Sequence, residues 1–554
     1  MEFEAQYDYV IVGAGSSGCV LANRLSQDPT IRVLLLEAGP PDSNLWLHIP
    51  AGVPKVVNNP DITWGYNTEP EPGLNGRRLA WPRGRTLGGS SSINGHVYMR
   101  GTWQDYDGWR DLGNPGWGWE DVLPFFKRGE GHYRGDSDLH GGSGELGISP
   151  VHNPHPASEA FIQAAMSLGI PRTDDFNGPL QEGVGYLDLM VRDGKRSSTA
   201  VAFLRPVMGR SNLEVRTGAL VERVILEGRH ARGVQFNLSG RSQRVGAGEV
   251  ILCGGTINSP QLLMLSGIGP ARALSELGIN VAHDLGGVGR NLHDHVYVHC
   301  LARVDAGYSL NPRISSNLRM IPDVLEYALK RTGLLTSAAA QVGMFVRTHE
   351  GLKTPDMQLQ MRPFSMISKG GMYSAEPTPA VTASCAILQP HSRGELTLRS
   401  ADPREAPRMV ANYLTDSRDI PTLVAGIRLI RRVFASRPFA DFYRGEDLPG
   451  QAVSSDEDIV AFLRDNAQSM YHPVGTCRMG PSAADGAVVD ARLRVHGVTG
   501  LRVVDASVMP VVPSGNTSAP AVMVAEKAAD MIREDARVGR GTYPTNARAA
   551  VTAA

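Results

Sequence analysis

Two polar residues near the C-terminus have the chemistry needed to take a proton from a small molecule. His472 precedes Pro473, which favours an extended or turn conformation, and Asn516 stands at the predicted start of a helix. Imidazole titrates near neutrality and can act as a general base, while an amide can hold an oxygen atom. Alcohol oxidation would use both, since the hydroxyl proton needs a base when hydride leaves the carbon. Taken singly, each residue also has a structural explanation, His472 as a bonded core histidine and Asn516 as a helix cap.

The N-terminal segment predicts a turn that binds phosphate. Residues 8–12 (DYVIV) are typical of a buried strand and residues 17–26 (SGCVLANRLS) of a helix. Between them, Gly13, Gly15 and Gly18 follow the GxGxxG spacing, which allows a tight turn, close approach of a pyrophosphate and close packing of helix on strand.

A second predicted strand supports the same interpretation. Residues 32–36 (RVLLL) end at Glu37, at the spacing expected of a carboxylate that accepts the ribose hydroxyls of an adenine dinucleotide. FAD and NAD share this half of the molecule, so the pattern leaves both open.

Later elements with the same pattern must complete the nucleotide-binding sheet. Residues 249–269 predict a strand, a glycine turn and a helix, and residues 501–505 predict a strand that ends at Asp505 before a helix over residues 517–532. Asp505 is therefore placed to hold a ribityl or ribose hydroxyl.

The region from about 300 to 465 has a different character. It contains alternating segments and a long amphipathic helix from about residue 420 to 434, and it lacks glycine-rich phosphate turns. We predict a substrate-binding lobe built on an antiparallel sheet flanked by helices; an oligomerisation lobe is the alternative.

These patterns divide the chain into interleaved parts. We predict an α/β fold in which a Rossmann-like domain comprises residues 1–155, 190–300 and 465–535, and a substrate domain comprises residues 156–189 and 301–464. The tail, residues 536–554, has no apolar period and is predicted to be disordered.

Composition excludes several classes of partner. The 554-residue chain has a net charge of −1 and no run of five or more basic residues, which argues against nucleic acid as a partner. Five cysteines form no CxxC pair, the first strand begins within about ten residues, and no apolar stretch could span a bilayer. We expect a cytoplasmic protein whose partners are small molecules, with peripheral membrane contact and oligomeric state left open.

A metal site was considered at His293 and His295. These residues flank Asp294, but no third and fourth ligand occur at suitable spacing, so we predict that no metal is bound.

Four segments together resemble the glucose-methanol-choline (GMC) flavoprotein oxidoreductases. They are GAGSSG with Glu37, residues 84–107 (GRTLGGSSSINGHVYMRGTWQDYD), residues 255–269 (GTINSPQLLMLSGIG), and the C-terminal YHPVGT with GNTSAP. The resemblance covers the chain except its tail and is most marked toward bacterial FAD-dependent alcohol and choline dehydrogenases.

The resemblance implies a fold like that of p-hydroxybenzoate hydroxylase, with FAD as cofactor and hydride transfer from an alcohol carbon to the flavin N5. His472 matches the base of the family, and Asn516 matches its second catalytic position. By the same matching the FAD contacts include Gly13, Gly15, Ser17, Gly18, Glu37, Ala38, Leu87, Gly89, Asn94, Val97, Val221, Asp505, Ala506 and Thr517.

Two departures from the family pattern affect the expected chemistry. Ile93 stands where some members attach FAD through histidine, which implies non-covalent FAD. Residues 336–345 offer Gln341 and alanines where we looked for the carboxylate that balances a quaternary ammonium, which weakens choline as the substrate.

The resulting hypothesis is an FAD-dependent dehydrogenase that oxidises a primary alcohol to an aldehyde and reduces a quinone or another acceptor that is not oxygen. The alternatives are an oxidase that releases hydrogen peroxide, a choline dehydrogenase, a lyase that retains FAD, and a flavin-binding protein without turnover.

Overall fold

Two seven-stranded sheets organise the chain in a computed structural model that describes residues 3–337, 339–369 and 372–541. Twelve α-helices are present among these residues, at Ser16–Leu25, Val53–Val56, Trp103–Asp111, Trp119–Gly129, Pro156–Ser167, Gly255–Leu265, Ala271–Glu276, Asn311–Ile314, Ile321–Lys330, Asp419–Phe434, Asp456–Asn466 and Ser518–Gly541.

The first sheet is the predicted nucleotide-binding sheet. Its strands, in spatial order, are Leu213–Thr217, Val33–Glu37, Gln6–Val12, Arg241–Leu252, His230–Leu238 and Ala219–Glu227, and Leu501–Val503 pairs with Arg241–Leu252. Gln6–Val12 is parallel to both of its neighbours, and helix Ser16–Leu25 crosses from it to Val33–Glu37. The predicted return of residues 249–252 and 501–503 to this sheet is confirmed.

The second sheet is antiparallel, as predicted for the substrate lobe. Its strands, in spatial order, are Tyr443–Leu448, Val296–Val304, Ala380–Ile387, Met357–Arg362, Val342–Val346 and Gly183–Tyr186, and Gln468–Ser469 pairs with Val296–Val304.

Helix Asp419–Phe434 packs on one face of this second sheet, where a Cβ at Gly426 would meet Cys385 and Met357 at 2.6–2.7 Å. Helix Pro156–Ser167 joins the same layer, with the Phe161 and Phe434 ring centroids 6.4 Å apart. The helices therefore cover one face, and the opposite face is left to line a cavity.

Short two-stranded pairs complete the described structure. They are Tyr66–Asn67 with Ala80–Trp81, Glu130–His132 with Leu146–Ile148, Val191–Arg192 with Lys195–Arg196, Ile268–Gly269 with His283–Asp284, Met366–Lys369 with Met372–Ala375, and Glu395–Thr397 with Arg408–Val410.

Two details differ from the sequence prediction. Strand Val296–Val304 lies wholly in the second sheet and crosses the predicted boundary at residue 300. The C-terminal helix runs to residue 541, so the prediction of disorder is wrong for residues 536–541. The salt bridge from Asp535 to Arg502 holds the helix at this point, where the sequence shows no apolar period. Residues 542–554 lie outside the described residues.

Candidate active site

A cavity of about 1230 Å³ lies where the two sheets meet. The ends of the central strands of the first sheet line it at Val12, Leu36 and Leu252, and the open face of the second sheet lines it at His299 and Ser384. Ligand pockets for drug-sized molecules are typically about 300–1,000 Å³. This cavity therefore has room for a dinucleotide and a small substrate together.

Fourteen of the sixteen site residues predicted from the sequence line this one cavity. They are Gly13, Gly15, Ser17, Glu37, Ala38, Gly89, Asn94, Val97, Val221, His472, Asp505, Ala506, Asn516 and Thr517. Gly18 and Leu87 do not line it. Gly18 lies against the backbone of Gly13, where a Cβ would meet the carbonyl oxygen at 1.9 Å, and Leu87 is buried behind the surface.

The glycine turn is built to accept a diphosphate. Gly15 is the N-cap of helix Ser16–Leu25, and no side chain caps the exposed amides of the first turn. A Cβ at Gly89 would approach the Gly15 Cα to 2.7 Å, so at this point residues 88–89 pack on the turn with backbone atoms alone. Bare amides at a helix start, lining a large cavity, fit the diphosphate of FAD.

Glu37 is held at the end of its strand by two backbone amides. The amide of Ala14 donates to Oε2 and that of Gly39 donates to Oε1, each at 2.8 Å. Burial raises the pKa of Glu37 to about 7, although both amides favour the carboxylate. Each oxygen keeps a further lone pair, so the carboxyl group can still accept a ribose hydroxyl.

Asp505 also lines the cavity, and its carboxylate accepts three hydrogen bonds from the protein. Oδ2 accepts hydrogen bonds from the Gly255 amide at 2.9 Å and the Ser259 hydroxyl at 2.5 Å, and Oδ1 accepts from the Ser507 amide at 2.8 Å. Asp505 thus joins the strand end to helix Gly255–Leu265. This bonding fixes the carboxylate in the cavity wall, and Oδ1, which accepts one of these bonds, keeps a lone pair for a ligand hydroxyl.

His472 and Asn516, 44 residues apart in sequence, meet in the cavity. The Asn516 Nδ2 group lies 3.1 Å from His472 Nε2, and the amide can donate to this nitrogen. Asn516 Oδ1 is buried without a hydrogen-bond partner, as is Ser518 Oγ nearby. Such unpaired acceptors beside an imidazole indicate a place where a bound molecule supplies the missing hydrogen bonds.

The other nitrogen of His472 faces a second histidine. His295 Nδ1 lies 3.0 Å from His472 Nδ1, and His295 Nε2 lies 2.9 Å from the carbonyl oxygen of Leu388. A carbonyl only accepts, so the proton of His295 sits on Nε2 and its Nδ1 is an acceptor. His472 must then donate from Nδ1, which leaves His472 Nε2 without a proton and directed at Asn516.

Asp294 holds the backbone of the segment that carries His472. Its Oδ1 accepts from the amide of His472 at 2.7 Å, and its Oδ2 accepts from the hydroxyls of Tyr413 and Ser469, each at 2.5 Å. Tyr471, immediately before His472, has a left-handed φ of 66°. The turn that presents the imidazole is therefore held by a buried carboxylate.

Burial keeps the paired imidazoles neutral. Desolvation lowers the pKa of His472 well below its usual value, with further lowering from the charges of a protonated His295 and of Arg83. Desolvation also lowers the pKa of His295 to about 4. Both rings are uncharged at neutral pH, which is the state required of a base.

The sequence indicates His293 and His295 only as candidate metal ligands, and it does not predict the contacts of His295 and Asp294 with His472. His293 is bonded elsewhere, since its Nδ1 donates to the Asn291 carbonyl at 2.7 Å and its Nε2 accepts from the Val512 amide at 3.0 Å. The alternation of histidine and aspartate is visible in the sequence, but only the fold shows that this stretch of chain contacts His472.

Gln341 does not occupy the expected place at the substrate. Its Oε1 accepts from the His155 amide at 3.0 Å and the Ser158 hydroxyl at 2.7 Å, and its Nε2 donates to the Asn153 carbonyl at 3.0 Å. The residue therefore anchors the start of helix Pro156–Ser167, and the neighbouring Ala339 and Ala340 line the cavity instead.

The chain is similar to known proteins over most of its length. Models of the GMC oxidoreductase N- and C-terminal regions match residues 7–297 and 390–525. An alcohol dehydrogenase [acceptor] of Pseudomonas putida is 44% identical over 530 residues, which cover 95% of each chain. The mitochondrial choline dehydrogenase of Mus musculus is 44% identical over 95% of this chain and 89% of its own.

A solved structure extends the likeness to the cofactor. A variant of formate oxidase from Aspergillus oryzae RIB40, determined to follow FAD modification, superposes with a TM-score of 0.90. It is 28% identical and covers 97% of this chain and all of its own.

Proposed function

The chain belongs to the GMC oxidoreductase family of FAD-dependent enzymes, and from that premise we propose that it oxidises a primary alcohol to an aldehyde and transfers the electrons to a quinone or another non-oxygen acceptor. The observation that supports this most directly is the unprotonated Nε2 of His472, beside the Asn516 amide in the cavity. The fourteen cavity-lining residues named above are proposed to hold FAD and the alcohol.

Bound FAD supplies the acceptor for the hydride that leaves the carbinol carbon. The residues of the chain then have two tasks. His472 takes the hydroxyl proton at Nε2, and the Asn516 amide donates a hydrogen bond to the same oxygen as negative charge develops on it. The alcohol loses one proton and one hydride, which yields the aldehyde.

His295 has a positioning role in this proposal. Its Nδ1 accepts from His472 Nδ1 and so keeps the proton off Nε2. Once His472 is protonated, the same hydrogen bond has a charged donor, which makes it stronger. The contact therefore favours the state of His472 that exists only after proton transfer.

The cavity favours a neutral alcohol over choline. The carboxylates that line it, among the residues the structure describes, are Glu37 and Asp505, both at the end formed by the first sheet. On the open face of the second sheet the lining carries the polar side chains of Tyr297, His299 and Gln360 instead. A quaternary ammonium would lack a negative partner there.

FAD is proposed to be held without a covalent bond. Ile93, at the position where some members have the attaching histidine, is buried with Leu47, Val56 and Ile62 and lines the cavity. An aliphatic side chain cannot form the bond to the flavin.

An oxidase is the second candidate, favoured by the close superposition on formate oxidase. For either reaction we keep the cytoplasm as the predicted location. None of the helices in the described part of the chain is both long enough and apolar enough to cross a membrane.

The deciding experiment is anaerobic mixing of the purified yellow enzyme with a panel of neutral primary alcohols and choline, followed by air. We expect a neutral alcohol to bleach the flavin absorbance, and the bleaching to persist in air until a quinone is added. Prompt recovery with peroxide would establish the oxidase, bleaching by choline alone would refute the assigned substrate, and bleaching by no alcohol would refute alcohol oxidation.

A further inference from the structure

Two neighbouring segments beside the cavity leave an unusual amount of apolar surface in solvent. Fifteen large apolar side chains are exposed among the described residues, and seven of them lie at residues 45–46 and 318–329. They are Leu45, Trp46, Leu318, Ile321, Val324, Leu325 and Leu329, with 41–81% of their surface exposed. We call this set the apolar mouth. The other eight are spread along the rest of the chain.

Helix Ile321–Lys330 shows that this exposure belongs to one face. The side of the helix that faces the protein carries Asp323 and Tyr327, which are 2% and 4% exposed. Tyr327 packs with Ile49, and Met320 packs against the same cluster, so the helix lies beside the segment that carries Leu45 and Trp46. An ordinary amphipathic surface helix buries its leucines and exposes its polar side chains. This helix does the reverse, since its leucines lie in solvent while Asp323 and Tyr327 face the protein.

The apolar mouth continues into the cavity. Trp46, Met320 and Val324 all line it, and Trp46 and Val324 are at the same time 41% and 50% exposed. Further along, Leu310, Ile314 and Leu335 extend the apolar lining inward. The apolar lining of the cavity therefore reaches the outer face at Trp46 and Val324.

The charge around the apolar mouth is positive although the protein as a whole is not. Residues 45–57 and 311–333 contain five Lys or Arg residues, namely Lys55, Arg313, Arg319, Lys330 and Arg331. The same segments contain two acids, Asp323 and Glu326, and Asp323 is buried in a salt bridge with Arg313. The whole chain has a net charge of −1.

We propose that the apolar mouth docks on the surface of a lipid bilayer that contains anionic headgroups. Leucine and tryptophan side chains beside lysine and arginine are the composition that lies in a membrane interface, with the rings and leucines below the headgroups. The docked cavity would open toward the bilayer, from which an apolar alcohol or quinone can enter. Binding itself does not depend on which alcohol is oxidised, so its test is independent of the proposed function.

Sedimentation of the holoenzyme with vesicles tests the proposal. We expect binding to vesicles of phosphatidylcholine with phosphatidylglycerol, and weaker binding to phosphatidylcholine alone or at high salt. The variant Leu325→Glu/Leu329→Glu alters the outer face without touching the cavity lining, and we expect it to bind about tenfold or more weakly. The matched control Leu112→Glu/Leu180→Glu changes two leucines of similar exposure elsewhere and should bind as the parent does.

Three results would overturn the proposal. The parent could remain in the supernatant with both kinds of vesicle, or the two variants could bind equally well. Light scattering could also show a parent dimer that becomes a monomer in Leu325→Glu/Leu329→Glu, which would assign the face to a second copy of the chain. Thermal unfolding and flavin content of both variants confirm that each is folded.

Discussion

Replacing His295 by leucine would remove the acceptor that faces His472 Nδ1. In the structure this is a 3.0 Å contact between buried rings, with no solvent to replace it. A hydrogen bond to a charged group contributes about 1.5–3 kcal/mol, and about 1.4 kcal/mol corresponds to a factor of ten in rate. Because the contact has a charged donor only after proton transfer, we expect kcat to fall by about 10- to 100-fold with little change in KM.

The pH profile separates this role from a structural one. Above about pH 4 His295 is neutral and does not repel the charge on His472, and its Nδ1 then favours the protonated form of His472 as a hydrogen-bond acceptor. Loss of this acceptor should therefore lower the pKa of His472 further and shift the acid limb of kcat/KM to lower pH. His295→Asn keeps an oxygen near the place of Nδ1 and should recover much of the rate. His293→Leu is the matched control, since His293 is equally buried but bonds to Asn291 and Val512, and it should reduce stability without moving the limb.

Anaerobic stopped-flow reduction of the flavin by the best alcohol, measured from pH 9 down to the lowest pH at which both proteins stay folded, gives both quantities. If His295→Leu reduces the flavin as fast as the parent, His295 has no part in positioning the base. The leucine and asparagine variants could instead be equally slow, with FAD content and unfolding temperature unchanged. The rate would then not depend on a hydrogen-bond acceptor for the Nδ1 proton of His472.

Four further predictions follow from the same geometry. His472→Ala should lower turnover by about 100- to 10,000-fold with FAD retained, and unchanged turnover would remove it from the mechanism. Asn516→Ala should lower flavin reduction by about 10- to 100-fold, the effect of losing one hydrogen bond to a developing charge, whereas a change in KM alone would restrict the amide to binding. Burial lowers the pKa of His472, and only the unprotonated ring is a base. We therefore expect kcat/KM to stay constant as the pH is lowered past about 6.5 and to fall only at still lower pH. A fall of kcat/KM that begins above pH 7 would contradict this. Acid precipitation should release all flavin into the supernatant, and yellow colour in the pellet would show a covalent bond that Ile93 cannot make.

The regular elements near the cofactor were predictable because local patterns determine them. Apolar runs ending in glycine predicted strands at residues 8–12 and 249–253 in one sheet, and the structure pairs them in parallel within the longer strands Gln6–Val12 and Arg241–Leu252. The boundary between the two domains was less predictable. Apolar and polar residues alternate along Val296–Val304 as in any strand, and the sheet that it joins depends on its contacts with Ala380–Ile387. Gln341 was misplaced for a similar reason, because nothing local shows that its amide bonds to the chain around residues 153–158.

The sequence by itself determined the glycine turn, the acid at the end of the second strand and the candidate base, because each depends on residue type and short spacing. Only the tertiary structure decided how these groups work. The proton of His472 is placed by His295 and the carbonyl of Leu388, from segments 177 and 84 residues away along the chain. The leucines of Ile321–Lys330 are ordinary in sequence, and become an exposed face only because Asp323 and Tyr327 turn the opposite side inward. Both outcomes depend on which distant surfaces meet, and sequence spacing carries no information about that.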